Sequence, residues 1–221
     1  MKKTLVLVFL LMLSTSLLFA QAKHVGRITK TTEKSAIHTP GPDEPAGLAK
    51  IYSNLGKKKT DVYLDNEGWT VNGPNASGFN GNYQWFGMPF TPKSDSHVSQ
   101  VQVAIEWVEG DNQVNLTLNS DSSGVPGAVL AGPVTVTNLG TFGTCCTLAV
   151  ANFPSTAVTG GTQYWVVAET TTSGTGSDTW AAWDFVPSLY LQGFFSNQNG
   201  YWSSFDAATA EAAGAVYGSI P

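Results

Sequence analysis

Apolar and polar residues alternate along much of the chain after residue 50, which predicts β-strands. In the segment VQVAIEW at 101–107, apolar residues hold every odd position, while Gln102 and Glu106 belong to the opposite face. The segment QVNLTLNS at 113–120 alternates in the same way, with its apolar residues at even positions. Because the turn-forming residues EGDN at 109–112 separate the two segments, we expect them to form a hairpin.

Short runs of Val, Thr and aromatic residues continue to the end of the chain, separated by clusters of Gly, Pro, Asn and Ser. No heptad or long helical stripe interrupts them. The pattern predicts an all-β fold, a single two-sheet antiparallel β-sandwich of jelly-roll type over residues 49–221. Its further strands are expected in GWTVN (68–72), YQWFGMPF (83–90), VTVTNL (134–139), CTLAVANF (146–153), QYWVVAETT (163–171), WAAWDF (180–185), LYLQGFF (189–195) and GAVYG (214–218).

The first 48 residues differ from this pattern. Residues 1–22 combine two lysines, an apolar run and small residues at a cleavage site after Ala22, as a secretory signal peptide does. Residues 23–48 have few large apolar side chains and end in Pro and Gly, which predicts a flexible leader. We therefore expect a secreted or cell-surface protein with no stable membrane span once the signal peptide is removed.

Charge is distributed unevenly along the chain. After Thr60 the sequence has one basic residue, Lys93, against thirteen Asp and Glu, a net charge of −12. Because binding to a phosphate backbone depends on Lys and Arg, this composition argues against a nucleic-acid partner.

The sequence offers little for catalysis or metal binding. His97 in SDSH is the only histidine within 49–221, and a polar turn explains it better than a catalytic triad. No cluster of Cys and His has the spacing of a zinc site. The segment NSDSSG at 119–124 spaces oxygen ligands like the opening of a calcium loop, but Leu130 stands where that loop needs glutamate. We expect a turn and no cofactor, with calcium as the open alternative.

Tryptophan is abundant, and its neighbours are often Asn, Gln, Ser and Thr. Flat aromatic rings beside amide and hydroxyl groups suit a neutral polar ligand such as a glycan. The candidate ligand-binding residues are Trp180 and Trp183, which cannot both face the core of a regular strand, and Tyr201 and Trp202 beside a predicted loop. For each of these tryptophans, the alternative is a role in the hydrophobic core.

Several segments together resemble the choice-of-anchor R domain of bacterial exported proteins, over nearly all of residues 49–221. The resemblance implies an extracellular domain and supplies no catalytic residues. Because the segment VYGSIP at 216–221 lacks a sorting motif, release or attachment through a partner is expected as readily as anchoring. The segments that carry the resemblance are IYSNLG (51–56), GWTVNGPN (68–75), MPFTP (88–92), SDSSGVPGAVL (120–130), TFGTCC (141–146), GTQYWVVAET (161–170), SDTWAAWDF (177–185) and AVYG (215–218).

The only cysteines of the chain, Cys145 and Cys146, are adjacent. Neighbouring Cα atoms lie about 3.8 Å apart, less than most disulfides span, so a bond between them would need a strained turn. In an oxidising compartment, a vicinal disulfide, two reduced thiols and an intermolecular link remain open alternatives. In CTLAV at 146–150 the alternation predicts that Cys146, Leu148 and Val150 point inward.

Together these features predict a non-enzymatic surface module that binds an extracellular ligand such as a glycan, or a surface protein. A structural component of the cell envelope or extracellular matrix is the alternative. A third hypothesis is a hydrolase that uses carboxylates such as Asp178 and Asp184, which would have to face each other about 5 to 10 Å apart.

Overall fold

The computed structural model describes residues 27–29, 44–56, 63–144, 147–190, 194–196, 200–204 and 210–221. Both cysteines, Cys145 and Cys146, and the predicted signal peptide lie outside the described residues. No stretch of these ranges folds into an apolar helix of membrane-spanning length. The regular elements are all strands: β1 (Arg27–Thr29), β2 (Ala49–Ser53), β3 (Leu64–Asn72), β4 (Trp85–Phe90), β5 (Ser96–Val103), β6 (Ile105–Glu109), β7 (Gln113–Asp121), β8 (Pro126–Thr137), β9 (Ala149–Val158), β10 (Tyr164–Glu169), β11 (Trp180–Tyr190), β12 (Phe194–Ser196), β13 (Trp202–Ser204), β14 (Ala210–Ala212) and β15 (Gly214–Ser219).

Two layers of antiparallel strands pack face to face. The first layer is a six-stranded sheet with the order β13-β12-β4-β10-β7-β8. The second contains β1-β3-β11-β14, with β6 beside β11, and a further sheet β2-β15-β5-β9. Phe86 of the first layer stacks on Trp69 of the second at 5.2 Å between ring centroids, and Phe86 also meets Trp183 edge-on at 6.0 Å. The main core lies between the layers, and the predicted all-β antiparallel sandwich is confirmed.

The second layer is continuous across a break in its strand pairing. β5 and β6 are separated only by Ala104, and β14 and β15 only by Ala213. Ala104 N–H donates to Ala213 O at 3.0 Å, and the backbone of Asp184 bonds to both alanines at 2.8 Å. The buried side chain of Asn54 makes two further hydrogen bonds to the backbone beside Ala213, at 2.7 and 2.8 Å. The backbone groups beside the break are therefore still hydrogen-bonded, as buried backbone groups must be.

The expected hairpin between 101–107 and 113–120 is wrong, because the chain crosses there from one layer to the other. β6 pairs with β11, whereas β7 pairs with β8 and β10. Asp111, in the connecting turn, explains the difference. Its carboxylate accepts a hydrogen bond from Gly176 N–H at 2.6 Å and its backbone O accepts one from the Thr179 hydroxyl at 2.8 Å. These bonds fasten the turn to the loop before β11.

The alternation of inward and outward residues holds in most strands, with one correction. Val150 was expected to point inward but is exposed, and Ala149 and Ala151 enter the core instead. The pairing with β5 explains this, since Ala151 lies opposite Val101 and Ala149 opposite Val103, both of which face the core. Residues opposite each other on paired strands share one face of the sheet.

Candidate functional site

One row of paired residues crosses the whole six-stranded sheet. Strand register places Trp85 of β4 opposite Ser196 of β12, and Ser196 opposite Trp202 of β13. Continuing the register of β4 and β10 by one residue brings Glu169 opposite Trp85. The row then runs through Asn115 of β7 to Thr135 of β8. With strands about 4.8 Å apart, this transverse row extends over about 24 Å.

The transverse row lies on the outer face of the sheet, away from the core. Phe86, next to Trp85, and Ala168, next to Glu169, both belong to the main core. Since neighbouring residues of a strand point to opposite faces, Trp85 and Glu169 point outward. The same reasoning applies to Asn115, which stands between the core residues Val114 and Leu116. Trp85, Glu169, Asn115 and Trp202 are partly exposed, and Thr135 is exposed, so a ligand can reach the row.

Aromatic rings occupy one half of the row. Trp85 packs against Tyr83, two residues earlier, with 4.9 Å between the ring centroids and 37° between the planes. Trp202 packs against a small outer cluster formed by Trp165 and Val167. Partly exposed rings held in this way lose little conformational freedom when a ligand stacks on them.

Polar groups occupy the other half. The Thr135 hydroxyl donates to Asn115 Oδ1 at 2.7 Å, which orients the amide, and the Asn115 N–H₂ donates to no other described residue. Burial raises the pKa of the Glu169 carboxyl. A carboxylate acceptor and an amide donor on directly paired positions lie close enough to bind adjacent hydroxyl groups of one ligand.

The four sequence-predicted binding residues do not share one surface. Trp202 belongs to the transverse row, and Tyr201 precedes it with 72% of its surface exposed. Trp183 is 0% exposed and donates its indole N–H to Ala213 O at 2.9 Å, so it contributes to the core. Trp180 is partly exposed at the start of β11 in the other layer, where its ring packs edge-on to Phe79 at 5.3 Å.

Sequence reasoning did not single out Trp85, Glu169 or Thr135 as site residues, although a usable signal was present. In YQWFGMPF, Trp85 alternates with the core residues Phe86 and Met88 and must therefore point outward. What the pattern could not show is which outward residues of different strands become neighbours. That depends on the strand order.

The two carboxylates considered for hydrolysis are far apart. Asp178 is exposed, and its Oδ1 accepts a hydrogen bond from Asp111 N–H at 3.0 Å. Asp184 is buried in β11, and the strand from Trp180 to Asp184 alone rises about 13 Å. The structure therefore does not bring these two groups to a common cleft.

Asp184 lies instead in a buried acidic cluster on the outer face of the second layer. The cluster contains Asp65, Glu106, Asp184 and the Tyr63 ring, all at most 6% exposed. Gly143 N–H donates to Glu106 Oε2 at 2.7 Å, whereas neither oxygen of Asp184 has a hydrogen-bond partner. Burial, together with the charges of Glu106 and Asp65, raises the pKa of Asp184 well above its usual value, so the cluster favours a protonated Asp184.

Neither this cluster nor any other within the described ranges places three His, Cys, Asp or Glu side chains where they could hold a metal ion. The calcium-like segment 119–124 includes the end of β7. There the carboxylate of Asp121 accepts hydrogen bonds from other residues of the protein. Asp121 Oδ1 accepts hydrogen bonds from Gln163 and Trp165 at 2.8 Å, and Oδ2 accepts one from Gly124 N–H at 3.0 Å. These donors occupy the carboxylate that a cation would need.

No protein-family model matches this chain, and no curated protein matches it either.

Proposed function

We propose that the protein is an exported, non-enzymatic β-sandwich module that binds an extracellular glycan on the transverse row. The observation that carries the proposal is the alignment of Trp202, Trp85, Glu169, Asn115 and Thr135 on one face across the six-stranded sheet. Aromatic faces stack on sugar rings, and the polar half of the row can bind their hydroxyl groups. A row of about 24 Å suits a chain of several sugar units lying across the strands.

The sequence supports the extracellular setting of this proposal. Residues 1–22 have the pattern of a secretory signal peptide, and residues 49–221 resemble the choice-of-anchor R domain of bacterial exported proteins. The net charge of −12 after Thr60 argues against an anionic polysaccharide. Neutral and cationic glycans are thus the ligand classes that fit.

A glycan array followed by titration calorimetry on the best ligand tests the proposal. The Trp85→Ala variant should weaken binding about fivefold or more, because stacking on an aromatic ring contributes on the order of 1 kcal/mol. Val150→Ala, at an exposed position of β9 in the other layer, is the control and should bind like the wild type. A blank array, or equal loss in both variants, would refute the proposal.

Self-association as an envelope or matrix component is a second candidate, and one surface favours it. β8 ends the six-stranded sheet, and its Val129 and Leu130 are 54% and 42% exposed. Edge strands with exposed apolar residues can pair with another chain. Sedimentation velocity would detect concentration-dependent dimers, and Leu130→Lys should abolish them if this edge is the interface. A monomer at all concentrations would exclude self-pairing.

A further inference from the structure

Glu169 is the one charged residue in the transverse row. It is partly buried, and burial alone accounts for the raised pKa of its carboxyl, with no described group that offsets the cost. Placing a carboxylate in partly desolvated surroundings is unfavourable unless a donor or a cation compensates it. Its place between Trp85 and Asn115 in the row would let a cationic group on a ligand compensate that cost.

Among residues 44–56 and the described residues after Thr60, the only Lys and Arg side chains are Lys50 and Lys93. Lys93 is the only Lys or Arg after Thr60. It follows Phe90, at the opposite end of β4 from Trp85, and that strand alone rises about 16 Å. Lys50, in the second layer, pairs with Glu44 at 2.5 Å. None of these lysines lies at the transverse row, so a ligand can supply the positive charge that would match Glu169.

The aromatic neighbours of Glu169 would also attract a cation. An ammonium group over the face of Trp or Tyr is attracted by the ring quadrupole. Trp85 lies opposite Glu169 in the row, and Tyr83 packs against Trp85 at 4.9 Å. A cation bound here would contact a carboxylate and an aromatic face together.

We infer that the ligand is an amino-sugar glycan with free, unacetylated amino groups. This inference rests on the proposed glycan-binding function and narrows it. The ammonium pairs with Glu169, the sugar rings stack on Trp85 and Trp202, and Asn115 binds hydroxyl groups. The net charge of −12 after Thr60 attracts such a polymer at long range, whereas the row determines where it binds.

Titration calorimetry with glucosamine oligomers tests this inference. The wild-type protein should bind the fully deacetylated oligomer at least tenfold more tightly than the N-acetylated oligomer of equal length, at a pH that keeps the amines protonated. Glu169→Gln should remove that preference, because it should weaken binding of the deacetylated oligomer at least tenfold more than binding of the acetylated oligomer. Glu109→Gln, an exposed carboxylate at the end of β6, is the matched control and should keep the preference. Circular dichroism verifies that both variants fold.

The contrary outcomes separate the two proposals. If the acetylated oligomer binds as well as the amine, the amino-sugar inference fails while glycan binding stands. A preference that Glu169→Gln and Glu109→Gln reduce equally would show general attraction to an acidic protein and would also overturn the inference. If neither oligomer binds and the glycan array is blank, both proposals fail.

Discussion

The buried indole of Trp165 donates its N–H to Asp121 Oδ1 at 2.8 Å. Replacing Asp121 with Ala would leave this N–H without that acceptor and would also remove the acceptor of Gly124 N–H. We expect the free energy of unfolding at pH 7 to fall by about 1–2 kcal/mol. Urea denaturation measures the change. Asp95→Ala, which removes one exposed hydrogen bond to Gly160 N–H, should cost less and serves as the control.

The same carboxylate predicts a pH dependence. Burial opposes its ionisation, but the hydrogen bonds from Gly124, Trp165 and Gln163 outweigh it and hold the pKa of Asp121 below its usual value. Its stabilisation is therefore present above the unfolded pKa of about 3.9 and is lost as the pH falls through the lower folded pKa. The difference between wild type and Asp121→Ala should shrink in strong acid. A constant difference from pH 7 to pH 2 would argue against this role.

Asp184 has the opposite dependence. Because its folded pKa is raised, its protonated form stabilises the fold below the unfolded pKa, and that contribution is lost as the pH rises through the folded pKa. Over that window the stability of the wild type should fall by up to about 1.4 kcal/mol per pH unit for this one group. Asp184→Asn, which stays neutral, should make the decline less steep. Denaturation at several pH values tests this, with the exposed Asp178→Asn as control. Identical slopes in all three proteins would contradict the prediction.

Gly110 in the crossing turn has no room for a side chain. Its φ is +75°, and a Cβ would lie 2.0 Å from the backbone O of Asp178. Gly110→Ala should therefore lower the free energy of unfolding by about 3 kcal/mol or more, since backbone must move. Gly124 has a similar φ of +84° with nothing within 4 Å of its Cβ, so Gly124→Ala isolates the conformational cost of about 1 kcal/mol. Thermal denaturation of both variants gives the comparison, and equal losses would show that the close approach is unimportant.

Trp183 and Trp85 should respond oppositely to substitution. Trp183→Phe removes a buried indole and its hydrogen bond to Ala213, so stability should fall by about 1–3 kcal/mol while affinity for the glycan stays constant. Trp85→Ala should reduce affinity with a smaller effect on stability. Paired melting and binding curves separate the two roles. A loss of affinity in Trp183→Phe at a temperature where it is fully folded would place the core tryptophan in the binding mechanism.

Alternation along single strands was readable from the sequence because one face of each strand is buried. It identified Val101, Val103 and Ile105 as core residues, and the structure confirms them. The pairing of strands with one another could not be predicted from the sequence, because it depends on where the chain crosses from one layer to the other. Asp111 fixes the crossing between layers through hydrogen bonds to Gly176 and Thr179. These partners lie 65 and 68 positions later in the chain, so no local pattern reveals them. The burial of Glu106, whose carboxylate accepts a hydrogen bond from Gly143 N–H, could not be predicted for the same reason.

The transverse row is assembled from strands that lie far apart in the chain, so its integrity depends on register. Inserting one residue within β4 ahead of Phe86, or within β10 ahead of Glu169, would turn the following side chains to the opposite face of the sheet. The insertion in β4 would turn the core residues Phe86 and Met88 outward, and the insertion in β10 would turn the carboxylate of Glu169 into the core. Length variation among variants of this protein should therefore be confined to the connecting loops, with each strand of the six-stranded sheet fixed in length up to its row residue.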